Sequence, residues 1–467
     1  MASLYDKLIE YNKSDYYGFH MPGHKRNEEM FGTRLPYGID ITEINGFDDL
    51  HHAETLIKDQ EERAAHLYKA EETHFLVNGS TVGILSAILG VTNRGDKILV
   101  ARNCHKSVYN AMELNGLRPI YIYPEYEKDL QINGEVSSEK IEILLNENPD
   151  VKAVMIVSPT YDGVLSNVEK IAQIVHKRGI PLIVDEAHGA HFGFHPYFPE
   201  NSNVKGADIV IHSVHKTLPS LTQTALIHIN GEIVDREKVR KYLHMLQSSS
   251  PSYILMASID RCMELLESEG DTLFELYAQR IDVLRTELQG LKHLEILQTE
   301  QFDRSKFLIS VKKTGITSKK LADILLHTYH LQMEMTGGTY VLAMTALGDT
   351  KEGFERLKRA LFEIDQSLSD EKQEDHLPVE LPKLPLVCTN EEIERKKCGN
   401  EELVLWEASI GRISTEYAYV YPPGIPLIVP GEQITQEAIQ VLSLYAELGF
   451  SVEGIKVENY IGVLKNG

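Results

Sequence analysis

From about residue 60 onward, short runs that are apolar at every position alternate with longer amphipathic ones. HFLVN (74–78) leads into TVGILSAILG, KILVA (97–101) into SVYNAMELNG, and AVMIV (153–157) into NVEKIAQIVHKRG, while PLIVD (181–185) and ADIVIH (207–212) continue the series. Strands with no polar face must be covered on both sides, and the amphipathic stretches between them supply the covering helices. The pattern predicts an α/β fold around a mostly parallel sheet. Beyond it, TLFELYAQRIDVLRTELQ sets Leu273, Leu276, Ile281, Leu284 and Leu288 at helical spacing, with Gly290 as the stop. HLEIL, KFLISVK, SKKLADILLHTYH, TYVLAMTAL and KEGFERLKRALFEI then read as a smaller α/β unit. The expected organisation is an irregular, Pro- and Gly-punctuated arm (1–55), a large domain (56–291), a small α/β domain (292–366), a linker (367–385) and a C-terminal α+β domain (386–467). The linker, SLSDEKQEDHLPVELPKLP, is charged and carries three prolines. No internal repeat is visible.

Composition narrows the function. A length of 467 residues, with 42% hydrophobic and 25% charged positions, is ordinary for a packed globular chain of about three domains. The net charge of −22 repels phosphate backbones and anionic lipid and favours cationic small molecules. Cys104, Cys262, Cys388 and Cys398 are scattered without a CxxC pair, so neither a disulfide framework nor a zinc ribbon is expected. The first residues lack an apolar signal core, and no uncharged apolar stretch approaches the ~18 residues of a membrane span. The expectation is a soluble cytoplasmic protein with no nucleic-acid or membrane partner.

Polar groups follow four of the predicted strands, where open α/β sheets place their ligand crevice. Gly79-Ser80-Thr81 opens a helix and offers free backbone N–H groups, hydroxyls and the positive end of a helix dipole, a cup for phosphate. The same residues also serve as a plain N-cap. Arg102-Asn103-Cys104-His105 follows KILVA, and a lone histidine such as His105 is often only structural. Asp185, in DEAHGAHFGFH, is a carboxylate at a buried strand end that invites a cation such as a protonated ring nitrogen. Ser213-Val214-His215-Lys216-Thr217 follows ADIVIH; Lys216 read alone is a solvated surface group, yet it follows a buried strand and lies one strand–helix–strand step beyond Asp185. Together the groups meet the needs of pyridoxal phosphate: an amine, an acid for the pyridine nitrogen, a phosphate cup and a ring to stack on.

FHMPGHK (19–25), DITEINGFDDLH (40–51), LVNGSTVGI (76–84), RNCHKS (102–107), SPTYDGV (158–164), VDEAHGAHF (184–192), SVHKTL (213–218) and YPPGIPLIVPGE (421–432) span nearly the whole chain. With these stretches the sequence resembles the bacterial ornithine/lysine/arginine decarboxylase family, in a short form without the N-terminal wing of larger relatives. The resemblance implies a fold-type I, pyridoxal-phosphate-dependent transferase-like large domain. It implies that Lys216 carries the cofactor as a Schiff base, that Asp185 pairs with the pyridinium nitrogen and that His105 stacks on the ring. Ser80, Thr81, Ser213 and His215 would hold the phosphate. His188 would stand near the ring, in a slot where some relatives have tryptophan. The implied reaction is decarboxylation of arginine, lysine or ornithine, and relatives of this fold build each active site from two subunits. A homodimer or higher homo-oligomer is therefore expected, with the arm motif and HMLQSSSPSY (244–253) lent across the interface and Ser249 near the neighbour's cofactor.

Three rivals stand beside this reading. Asp185, His188, His191 and His195 have the spacing of possible metal ligands, which would make a metallohydrolase. A non-catalytic descendant of the fold is a second. An aminotransferase is the third, but it would clamp the α-carboxylate with a small-domain arginine, and EMTGGTYVLAMTALG contains none. For the distal cation of a basic substrate, Glu416 with Tyr417, Tyr419 and Tyr421 is the expected slot, and a carboxylate's bidentate fit to guanidinium favours arginine. An exposed strand position is the plain alternative for Glu416, in which case the distal acid would come from Asp40, Glu43 or Asp48.

Overall fold

A computed structural model of the chain describes residues 14–19, 30, 43, 47–369, 380–421 and 425–465. The apolar runs become β2 (Glu72–Leu76), β3 (Lys97–Ala101), β7 (Val151–Val157), β8 (Leu182–Asp185) and β9 (Ile209–His212), joined by β4 (Arg118–Ile122) and β10 (Ala225–Ile229). They form one seven-stranded sheet in the order β2-β10-β9-β8-β7-β3-β4. Its centre is parallel, from β4 through β3, β7 and β8 to β9. β10 was not foreseen, and it runs antiparallel to both β9 and β2. The link from β9 holds only the short helix Val214–Thr217, too little chain to return to the sheet's opposite end as a parallel strand requires. Ile98, Leu99, Val100, Val154, Ile156, Ile183 and Val210 are fully buried, as strands covered on both faces should be.

The long helix spans Tyr253–Leu288, beginning well before the predicted start near residue 272. Ser252 caps it by accepting from the Leu255 N–H, and Met256, Ile259, Cys262, Met263 and Leu266 carry the buried stripe back to that cap. The small sheet is antiparallel: β11 (Glu295–Leu297), β12 (Lys306–Ser310), β15 (Tyr340–Met344) and β14 (Met335–Thr336), in that order. Helices Ser318–Tyr329 and Lys351–Ser367 accompany it, close to the predicted positions. β1 (Tyr17–Phe19), from the arm, pairs in parallel with β13 (Leu331–Met333) of the same chain, and the Tyr17 hydroxyl donates to Asp349 at 2.5 Å. These three arm residues are held at home. The rest of FHMPGHK, Asp40 and most of the expected linker lie outside the described residues.

The C-terminal part contains β16 (Glu401–Leu405) paired with β20 (Tyr460–Leu464), and a second sheet of β18 (Ile425–Ile428), β17 (Ala418–Tyr421) and β19 (Ser451–Glu453). Helix Gln436–Glu447 packs with Trp406, Ile428 and Ile461 in a separate core, which also takes in Leu381 and Leu384 from the end of the expected linker. A buried ion pair joins this part to the main sheet. Arg102, just after β3, donates to Glu432 at 3.1 Å, to the Leu427 carbonyl at 3.2 Å and to the Pro426 carbonyl. Burial pushes the Glu432 carboxyl up and Arg102 opposes it, so neither charge is tolerable without the other. Arg102→Met is expected to cost roughly 3–5 kcal/mol, read as a lower denaturant midpoint. Arg102→Met combined with Glu432→Leu should recover part of that loss, because no lone charge stays buried.

Candidate active site

The parallel strands end along one edge of the sheet, and a cavity of about 310 Å³ opens there. After β2, Gly79 takes φ +77°, a conformation reserved largely for glycine, and turns the chain into helix Gly79–Val91. The helix N-terminus therefore points its free N–H groups at the cavity, with Ser80 and Thr81 in the lining. The Ser80 hydroxyl lies 2.6 Å from that of Ser213, which arrives from the end of β9. Two strand ends thus close one hydroxyl-rich cup.

After β3, His105 caps helix Lys106–Leu114 by accepting from the Ser107 N–H on Nδ1. Desolvation, then the charges of Lys216 and Lys106, hold its pKa down to about 4, so the ring in the cavity lining is neutral. Asp185 ends β8, and its Oδ1 accepts from the Ala187 N–H at 3.1 Å. Burial raises its pKa, with Lys216 working against the rise. Lys216 sits in helix Val214–Thr217; burial lowers its pKa, opposed by Asp185 and Glu334. His215 in the same helix is turned by Nδ1 toward the Thr224 carbonyl, at 2.8 Å. His188 Nε2 is 2.9 Å from Lys216 Nζ, and its ring centroid is 4.6 Å from that of Tyr161.

The sequence matches the family model described as Orn/Lys/Arg decarboxylase, major domain, over residues 2–352, and the C-terminal domain of the same family over 383–458. The chain belongs to the Orn/Lys/Arg decarboxylase family. It is 33% identical to an arginine decarboxylase of Bacillus anthracis, over 97% of this chain and 94% of that protein. It is 34% identical to an arginine decarboxylase of Bacillus subtilis, over 97% and 95%. Among solved structures, the Francisella novicida lysine decarboxylase LdcF superposes with a TM-score of 0.79 at 21% identity, over 98% of this chain and 80% of that one. This fold likeness agrees with the α/β architecture expected for the family.

Ser80, Thr81, His105, Asp185, His188, Ser213, His215 and Lys216, all named from sequence, line this one cavity. Glu416 does not. It is buried in the C-terminal part, where Oε2 accepts from the Gly462 N–H at 2.8 Å and Oε1 lies 3.3 Å from Lys456 Nζ. Its carboxylate is thus spent on holding β20, which corrects both the substrate slot and the exposed alternative. Tyr417 and Tyr419 stack on each other with centroids 5.3 Å apart and line no part of the cavity, and the Tyr421 side chain lies outside the described residues. Asp48, a reserve candidate, caps the start of helix Leu56–Leu67, accepting from the N–H groups of Glu54, Thr55 and Ile57. Glu43 and Ser249 are exposed and line no part of the cavity of their own chain. The residues weighed as metal ligands diverge: His191 turns to Asp303 at 3.2 Å and His195 to Glu275 at 3.0 Å. Among the described residues no group of three His, Cys, Asp or Glu could hold a metal.

Sequence reasoning missed Tyr161 and Asp162, which follow β7 and reach the same cavity. Burial raises the Asp162 pKa to about 6, while a hydrogen bond from the Tyr340 hydroxyl and the Lys306 charge pull the other way. The signal was present, since SPTYDGV follows one of the apolar runs, as the four recognised sites do.

Proposed function

We propose that the protein is a pyridoxal-phosphate-dependent decarboxylase of a basic amino acid, with arginine as the favoured substrate. The observation that carries the reading is the convergence of a desolvated lysine, Lys216, and a buried carboxylate, Asp185, beside a helix N-terminus rimmed by Ser80 and Ser213. The donor set fits the cofactor: N–H groups and hydroxyls for its phosphate, a neutral histidine face for its ring, a carboxylate for its ring nitrogen and an amine for its carbonyl. When bound, pyridoxal phosphate supplies an electron sink for the pair released as the carbon–carboxylate bond breaks.

The chain's own residues decide the outcome. Lys216, kept toward its uncharged form by burial, is the nucleophile. Asp185 holds a proton on the ring nitrogen, and His105 fixes the ring plane. Among the described residues the lining includes no arginine to bind and solvate the α-carboxylate, and an apolar, dry position favours its departure as neutral carbon dioxide. Asp162 in the cavity, and Glu334, which accepts from the Tyr161 hydroxyl, replace Glu416 as candidate partners for the distal cation. The net charge of −22 attracts such a substrate. Arginine is favoured because the two Bacillus relatives at 33% and 34% identity are named arginine decarboxylases. The cytoplasm is the proposed site of action; separately, no helix among the described residues is long and apolar enough to cross a membrane. The working form is a homodimer or larger homo-oligomer, with exposed Ser249 at the neighbour's site; an active monomer by sedimentation under assay conditions would refute this.

The deciding experiment incubates the purified protein, with pyridoxal phosphate, separately with arginine, lysine and ornithine, and separates amines from keto acids. Agmatine and carbon dioxide are expected from arginine, with lower turnover of the other two. Keto-acid formation without carbon dioxide would establish an aminotransferase instead.

A further inference from the structure

Three nitrogen-bearing side chains touch in series, two of them, His188 and Lys216, in the cavity lining. His188 Nε2 is 2.9 Å from Lys216 Nζ, and His188 Nδ1 is 3.1 Å from Lys306 Nζ on the far side. Lys306 opens β12 and is fully buried. Its path is built in. Gly163, at φ +102°, lies against it so closely that a Cβ there would stand 2.8 Å from Lys306 Cγ. A buried lysine at the start of a strand, given a glycine to pass and aimed at an active-site ring, is more than a packing accident.

Counting protons restricts what the line can be. A neutral imidazole has one N–H and one lone pair, whereas an ammonium only donates. Burial, and then the two lysines, hold the His188 pKa well below its usual value, so the ring is neutral. Both contacts are then hydrogen bonds only if the lysine opposite the ring N–H is an uncharged amine that accepts from it, while the lysine opposite the ring lone pair donates and is the one that can carry the charge. The surroundings choose between them. Lys306 faces Asp162 and Asp303, and although burial pushes Asp303 up, His191 and Lys306 bring its carboxyl below the usual range. Lys216 faces Asp185 and Glu334, yet burial outweighs both. Other ionisable groups near His188 include Tyr161, whose ring lies against it, and His105 and His215.

We propose that Lys306 is a positioning residue for the reaction: it holds the ammonium end of the Lys306–His188–Lys216 line, fixes the His188 proton on Nε2, and leaves Lys216 an uncharged amine. This rests on the assignment of Lys216 as the cofactor-binding lysine. It also gives His188 a task that does not depend on touching the cofactor ring.

The test uses the full chain freed of cofactor and labelled with limiting acetic anhydride across a pH series, Lys216 acetylation being read by peptide mass spectrometry. Lys306→Met removes the fixed cation, so the shared proton should move to Lys216. Its labelling midpoint should rise by about one pH unit or more, a roughly tenfold loss of label at a fixed pH below the midpoint. Lys306→Arg keeps the cation and should return the midpoint toward that of the unaltered chain, which a filler role would not require. An unmoved or lowered midpoint in folded Lys306→Met would overturn the proposal. If Lys306→Met does not fold, the unaltered chain still decides. In 15N-histidine spectra assigned by difference with His188→Gln, His188 should carry its proton on Nε2, and a proton on Nδ1 would make Lys306 the accepting, uncharged amine and defeat the idea. Borohydride trapping of the cofactor on a different lysine would instead defeat the assignment of Lys216, whatever the labelling shows.

Discussion

Lys216→Ala is expected to abolish both covalent retention of pyridoxal phosphate and decarboxylation, while the chain still folds. Among the described residues that line the cavity, Lys216 is the sole lysine. Lys306, also buried, is bonded to the other nitrogen of the His188 ring. The fold should survive because the substitution removes an amine that burial already disfavours in its charged form, leaving His188 Nε2 facing the cavity. The measurements are the visible absorbance of the purified variant, the mass of the borohydride-reduced protein and carbon dioxide release. In the unaltered protein reduction should tag Lys216; a tag on any other lysine, or turnover by Lys216→Ala, would remove this residue from the proposed role.

How much of this was readable beforehand follows from where the information resides. The parallel strands are apolar on both faces, so their sequence alone marks them, and a parallel sheet sends all its strand ends to one edge. Polar groups just after β2, β3, β8 and β9 therefore had to meet, although they are scattered between residues 79 and 216. Strand β10 escaped because its direction depends on the shortness of the preceding link, not on its own residues. The long helix was read only from Thr272 onward, whereas it starts at Tyr253 and carries Gly270 buried inside it.

Glu416 shows the opposite case. Its neighbours promised an amphipathic slot, but nothing local specifies which way the bend before β17 will turn, and the Gly462 N–H captured the carboxylate. Lys306 was invisible for a similar reason. In KFLISVK a leading lysine reads as a solvent-facing strand end, and only the tertiary fold sets it behind His188. Residues fixed by the topology of one sheet could be inferred, while residues delivered by a second unit could not.

Asp185 and Glu186 are adjacent acids with separate fates, and that separation supports the second large effect. Glu186 turns away from the cavity, accepting from the Ser202 N–H at 3.0 Å and its hydroxyl at 2.6 Å and bonding His212 Nε2 at 2.7 Å. It acts as a strut in a buried chain that continues through His228 to Thr73. Asp185 turns into the cavity with one backbone N–H on Oδ1. Burial makes a carboxylate there unfavourable in the free chain, and a protonated ring nitrogen would supply the charge it lacks. Asp185→Ala removes the carboxylate that would keep a proton on the ring nitrogen of bound pyridoxal phosphate, and with it the charge that would make that ring a good electron sink. The expected loss in kcat is about 10³-fold or more, roughly 4 kcal/mol of transition-state stabilisation, with a smaller change in KM. Asp185→Asn keeps an oxygen for the Ala187 N–H but cannot carry the charge, so it should lose nearly as much, which separates electrostatics from packing. Glu186→Gln should instead lower the unfolding midpoint and spare kcat. A near-normal rate in Asp185→Ala would mean that the ring nitrogen is held by some other group and that this buried acid serves only the fold.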